Sequence, residues 1–161
     1  MRKIINPFND GGNPCFACSI NHPLGLHMEF YEDGDELVCL WEPGTLFQGF
    51  PGILHGGIQA TLMDEIASWT VFIKGETAGV TSNMHIEYRK PAILNKGKII
   101  LRSRVKSTDK NRMTLHTRLI DAQHELCSEG EIIYFIYPEH IARRKFNYPG
   151  IEAFYESSPG T

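Results

Sequence analysis

Apolar and polar positions recur with the period of a helix along one stretch of this chain and alternate with period two along several others. Ile58, Leu62, Ile66, Trp69 and Ile73 fall at i, i+4, i+8, i+11 and i+15, one stripe of a helix. Small residues (Ala60, Thr61, Ala67, Ser68) lie between them, so the helix is expected to be covered on a second side as well, a partner subunit being one candidate cover. Val80, Ser82, Met84, Ile86 and Tyr88 alternate with Thr81, Asn83, His85, Glu87 and Arg89, a strand stopped by Pro91. Lys98 to Ser107 alternates again, with Leu101, Ser103 and Val105 opposite Arg102, Arg104 and Lys106, before a turn at Thr108 to Asn111. Arg112 to Asp121 and His124 to Tyr137 read as two more strands joined at Ala122-Gln123, and Leu26 to Tyr31 with Glu36 to Trp41 as a hairpin about Glu32 to Asp35.

Two strands, one long helix and a meander of four strands make an α+β pattern, with the sheet of about six strands covering the helix. The length of 161 residues, 42% of them hydrophobic, predicts one domain over residues 1–137 with an irregular arm at 1–25, followed by a tail at 138–161 that packs on the sheet. No apolar run is long enough to span a bilayer, and Met-Arg-Lys is followed by polar residues, so a cytoplasmic protein without membrane contact is expected. A net charge of −3 and a pI near 6.1 argue against nucleic acid as a partner. The four cysteines are expected to be reduced. Cys15 and Cys18 have a chelating spacing that His22 or His27 would complete around zinc, against an ordinary turn with partly buried thiols. With no second CxxC, the turn is preferred, and neither a metal nor a cofactor is expected.

Chemistry concentrates between Phe47 and Ile73. A loop, Gln48-Gly49-Phe50-Pro51-Gly52-Ile53-Leu54-His55-Gly56-Gly57, leads into the helix, and Asp64 follows the histidine by nine residues. This pattern resembles the hotdog-fold acyl-CoA thioesterases of the phenylacetate-pathway and 4-hydroxybenzoyl-CoA type. Thr81 to Pro91 is similar to the strand after the helix in that family, and Asn13-Pro14-Cys15-Phe16-Ala17-Cys18 with Pro23 to Leu26 resembles its N-terminal arm. The likeness runs over about residues 13–137. It implies a hotdog fold, in which a curved antiparallel sheet wraps one long helix, and hydrolysis of an acyl-CoA thioester in a homodimer or a dimer of dimers.

A thioester carbonyl gains negative charge when attacked, and the first N–H groups of a helix are unpaired donors at its positive end. The resemblance assigns this role to Gly56 N–H. Gly56 and Gly57 also lack a Cβ and leave room for substrate, although a loop requiring positive φ would equally call for glycine. Asp64 is the candidate base or nucleophile, while Glu65 reads as a solvated neighbour. Eight residues at 1.5 Å separate Gly56 and Asp64 by about 12 Å along the axis, too far to serve one carbonyl, so the partner chain must supply one of them.

His55 is expected to hold the loop by hydrogen bonds, with direct proton transfer as the alternative. The family places a Ser or Thr hydroxyl at about Thr81; simple alternation sets Thr81 on one face with Asn83 and His85. Some relatives carry Asn where this chain has Gly49, so Gln48 is the available amide. Gln48, Gly57 and Asn83 are candidate substrate contacts, as are Arg89 and Lys90, which with Lys96 and Lys98 form a cluster for the coenzyme phosphates. The acyl group is expected among Phe47, Leu62, Met63 and Ile66. Two other functions are to be weighed. Dehydration or hydration of a hydroxyacyl thioester is disfavoured because no His follows Asp64 on the helix, and a non-catalytic acyl-CoA binding module remains as the alternative.

Overall fold

The computed structural model describes residues 1–9 and 14–156. Asn13 of the arm motif and the Ser-Pro-Gly end of the tail lie outside the described residues. Helix α1 (Gly56–Lys74) is the apolar stripe read from the sequence, extended by one residue at its C-terminal end. Leu62, Met63, Ile66, Ala67, Trp69, Thr70, Val71 and Ile73 are buried along it. An antiparallel sheet of seven strands wraps it: β1 (Arg2–Lys3), β2 (Phe30–Asp33), β3 (Glu36–Trp41), β4 (Gly79–Tyr88), β5 (Ile99–Asp109), β6 (Arg112–Ile120) and β7 (Leu126–Ile136). Thr70 Oγ1 donates to Ser103 Oγ at 2.8 Å where helix and sheet meet, so this buried hydroxyl pair is satisfied internally.

The strand order β1-β2-β3-β5-β6-β7-β4 corrects the expected four-strand meander. Of the four strands after the helix, only β5, β6 and β7 run consecutively; β4 crosses over to pair with β7 and forms an edge. Gly130 makes that pairing close, since a Cβ there would lie 2.3 Å from His85 O. The hairpin β2–β3 turns at Gly34, whose φ of +64° suits a residue without Cβ. Strand β2 starts later than the alternation predicts. Leu26 and Met28 instead give their N–H groups to Phe16 O and Ala17 O of the arm, and His27 takes φ +51°.

The tail does not simply lie on the sheet. Helix α2 (Glu139–Phe146) leads to Tyr148 and a 3-10 turn at Ile151–Phe154, and these cover the C-terminal half of α1. Trp69 stacks on Phe30 at 4.4 Å between ring centroids, and Phe154 meets Trp69 edge-on at 5.7 Å. Phe8 of the arm packs 5.5 Å from Phe72, and Tyr148 donates to Phe72 O at 3.1 Å. Arm and tail thus cover the side of α1 that carries Trp69 and Phe72, not the face of small residues. Among the described residues no helix is long and apolar enough to cross a membrane.

Candidate active site

Residues 47–55 reach α1 through two short backbone ladders. His55 N–H donates to Phe47 O (3.0 Å), Leu54 N–H to Ala92 O (2.9 Å) and Gly49 N–H to Ile53 O (2.9 Å), while Gln48 Oε1 accepts from Gly52 N–H (3.2 Å). Gln48 therefore braces the loop. His55 is the N-cap: its Nδ1 accepts from Gly57 N–H at 2.9 Å, which places any ring proton on Nε2. This is the loop-holding role expected of it. The same bond occupies Gly57 N–H, leaving Gly56 N–H without a hydrogen-bond acceptor among the described residues. Neither glycine has positive φ, so the conformational reason for a Gly-Gly pair is removed and close approach is left.

Gly56 opens onto a cleft of about 630 Å³. Phe50, Ile53 and Leu54 give it apolar walls, with Gln59, Tyr88 and Arg89 opposite. Tyr88 Oη donates to Gly56 O at 2.8 Å and its ring shields the helix start. Gln59, buried, ties Leu54 O (3.2 Å) to Ser128 Oγ (2.9 Å) and fixes the loop to β7. Leu62, Met63 and Ile66 are fully buried core residues and do not line this cleft, which corrects the expected acyl lining; Phe47 packs on Trp41. Arg89 and Lys90 stand at the rim, but Arg89 pairs with Glu87 (2.8 Å) and Glu129 (2.5 Å), and Lys90 pairs with Glu125.

Asp64 sits two turns along α1, outside the cleft lining. Its Oδ1 accepts from Thr81 Oγ1 at 2.9 Å and from Tyr134 Oη at 2.8 Å; Tyr134 Oη is also 3.0 Å from Asp64 O. Among the described residues Oδ2 has no such partner, so one carboxylate oxygen is held and the other left free. Burial, and then the Asp64 charge, push the Tyr134 phenol well above its ordinary value, which keeps it a proton donor. Tyr134 was not singled out from the sequence, because an aromatic in an alternating strand carries no signal beyond a core position.

Thr81 reaches Asp64 because of a bulge. Thr81 pairs with Tyr134 and Asn83 with Ile133, so Ser82 is an extra residue that reverses the alternation. The register puts Thr81 on the helix side with Met84, Ile86 and Tyr88. Asn83 and His85 point to the other face, which corrects the face shared by all three in simple alternation. Asn83 is thus not brought to Asp64 or to the cleft.

Glu65 is not solvated as expected. Its carboxylate lies beneath the arm, accepting from Trp69 Nε1 at 3.0 Å with Cys15 Sγ at 3.6 Å, and burial raises its pKa to about 7. His22 and His27 are turned away into the loop: His22 Nδ1 accepts from Leu24 N–H, and His27 Nε2 lies 2.7 Å from His22 O.

Comparison with known proteins agrees with this fold. Residues 51–128 match the family model described as the thioesterase superfamily. The acyl-coenzyme A thioesterase THEM4 of Rattus norvegicus is 32% identical over 118 residues, 64% of this chain and 50% of that protein. The uncharacterized mitochondrial membrane protein FMP10 of Saccharomyces cerevisiae is 27% identical over 120 residues, 70% of this chain and 49% of its own. This chain spans about half the length of these two relatives. A Streptococcus mutans structure bound to acetyl CoA superposes with TM-score 0.63 at 16% identity, covering 70% of this chain and 90% of that one. The hotdog thioesterase resemblance drawn from the loop, the helix and Asp64 is borne out.

Proposed function

From its likeness to the thioesterase superfamily, we propose that this chain hydrolyses an acyl-CoA thioester to a carboxylate and free coenzyme A. The observation that carries this reading is one helix bearing two half-sites: an unpaired Gly56 N–H facing a cleft and an Asp64 carboxylate fixed on one oxygen and free on the other. The substrate carbonyl accepts from Gly56 N–H. Asp64 takes a proton from water as it attacks, or attacks itself to form an anhydride that water then cleaves; in either case the carbon–sulfur bond breaks and the thiolate leaves as the thiol.

Gly56 and Asp64 belong to different chains in this reading. A second copy docks on the exposed edge β4, a ten-residue strand unpaired on one side that leaves Val80, Met84 and Tyr88 exposed at 42%, 36% and 53%. Such an edge otherwise invites aggregation. Lys96 and Lys98, with Arg89 and Lys90 on leaving their carboxylates, take the coenzyme phosphates. The rat relative's name and the acetyl CoA in the S. mutans structure support the substrate class. A cytoplasmic location belongs to the same reading; recovery in the mitochondrial fraction would contradict it.

Release of free thiol from a panel of acyl-CoAs tests the reaction. Asp64→Ala is expected to lower turnover at least about a hundredfold. Equal rates would remove Asp64 from the mechanism, and binding without release from any substrate would leave a non-catalytic acyl-CoA module.

A further inference from the structure

Beneath the N-terminal arm lies a cluster that the proposed hydrolysis does not use. Cys15 Sγ, Cys18 Sγ and a Glu65 carboxylate oxygen all lie within 4.8 Å of one another. We propose that they bind a single zinc ion, which staples the arm to α1 one residue beyond Asp64.

Three features point to a metal. The first is size: Zn–S of about 2.3 Å and Zn–O of about 2.0–2.2 Å in a tetrahedron set the sulfur–oxygen edge near 3.5 Å, and Cys15 Sγ to Glu65 Oε1 is 3.6 Å. The second is orientation. Cys18 N–H donates to Cys15 Sγ at 3.5 Å, and Trp69 Nε1–H donates to Glu65 Oε1 at 3.0 Å, the outer hydrogen bonds that hold ligands in place around an ion. The third is charge. Among the described residues no Lys or Arg pairs with Glu65, so two thiols and a carboxylate are gathered under cover without a cation.

Soft thiolates with one carboxylate select zinc over calcium or magnesium. His22 and His27 are committed to the loop backbone, so the fourth position is filled by water, and the half-buried Cys15 leaves an entry path. The ion acts on structure: it ties a segment that is otherwise mostly turns to the helix that carries Asp64.

The test is metal analysis of the full chain, purified with its thiols reduced. About one tightly held zinc per chain is expected. Cobalt(II) exchanged into the unmodified protein is expected to show thiolate-to-cobalt charge-transfer absorption and tetrahedral visible bands, a readout that needs no variant to fold. Glu65→Gln, close in shape to the native side chain, is expected to weaken zinc at least about a hundredfold, above the range for loss of an outer partner. His22→Ala is expected to leave zinc binding unchanged. A metal-free native protein, a Cys15–Cys18 disulfide in the freshly purified chain, cobalt spectra without thiolate bands, or Glu65→Gln binding zinc as tightly as native would each overturn the site.

Discussion

Asp64 and Glu65 are adjacent carboxylates on one helix, yet they face two different regions of the molecule. Asp64 faces the open side, where β4 is an exposed edge and two hydroxyls hold one of its oxygens. Glu65 faces the closed side, under an arm and tail whose aromatic rings pile on Trp69 and Phe72. On the proposed reading one helix divides the labour: the side covered by its own chain holds the fold, and the uncovered side serves chemistry and a partner. The difference teaches that neighbouring carboxylates can be held in different ways, since Glu65 is tied to Trp69 and Cys15 beneath the arm and Asp64 to the hydroxyls of Thr81 and Tyr134.

The largest effect that separates the two sides is expected on the closed one. Phe154→Ala removes a fully buried ring and should cost about 3–5 kcal/mol of stability in denaturant melts, while turnover per folded molecule stays native. A collapse of turnover without loss of stability would mean that the tail serves the site directly. On the open side, Tyr134→Phe deletes one hydrogen bond to a carboxylate, worth about 1.5–3 kcal/mol. It should lower kcat roughly tenfold to a hundredfold with little change in KM. Native kcat in this variant would make the tyrosine a packing residue only.

The smallest effect lies outside both sides, in the ion network of β3 with β5 and β6. Burial alone would raise the Glu36 pKa, but Arg102 at 2.7 Å and Arg118 at 2.5 Å outweigh it and hold it below its ordinary 4.5. A depressed carboxylate stabilises the fold above its unfolded pKa and loses that contribution as pH falls through the folded value. Glu36→Gln should thus cost on the order of 1 kcal/mol near neutrality, with the gap to native closing below about pH 4.5 in thermal melts. A gap that persists in acid would show that the amide disturbs packing instead.

The comparison also explains what was legible in the residues alone. Helix α1, the hairpin β2–β3 and strands β5 to β7 follow from local periodicity, and the two half-sites follow from a loop, a helix start and a spacing. The place of β4 beside β7 has no local signature, because strand order is decided by long-range pairing. The bulge at Ser82, which turns Thr81 toward Asp64, is not announced by a glycine. Tail aromatics such as Tyr148 and Phe154 show no helical or alternating period, so nothing in their order says they close over α1. Glu65 reads as a surface residue until the arm is seen above it.

Whether Gly56 and Asp64 act across two chains is tested most directly by mixing inactive subunits. Gly56→Pro removes the N–H at the first position of α1, where proline is tolerated and the preceding His55, at φ −58° and ψ 133°, already suits it. It should lower turnover about a hundred- to a thousandfold alone. Unfolding and refolding Gly56→Pro together with Asp64→Ala in equal amounts produces mixed dimers in which one of two sites has both native groups. A shared site predicts recovery of about a quarter of native turnover, because half the dimers are mixed and each carries one intact site. No recovery above the separate variants, with mixed dimers present by mass, would contradict it.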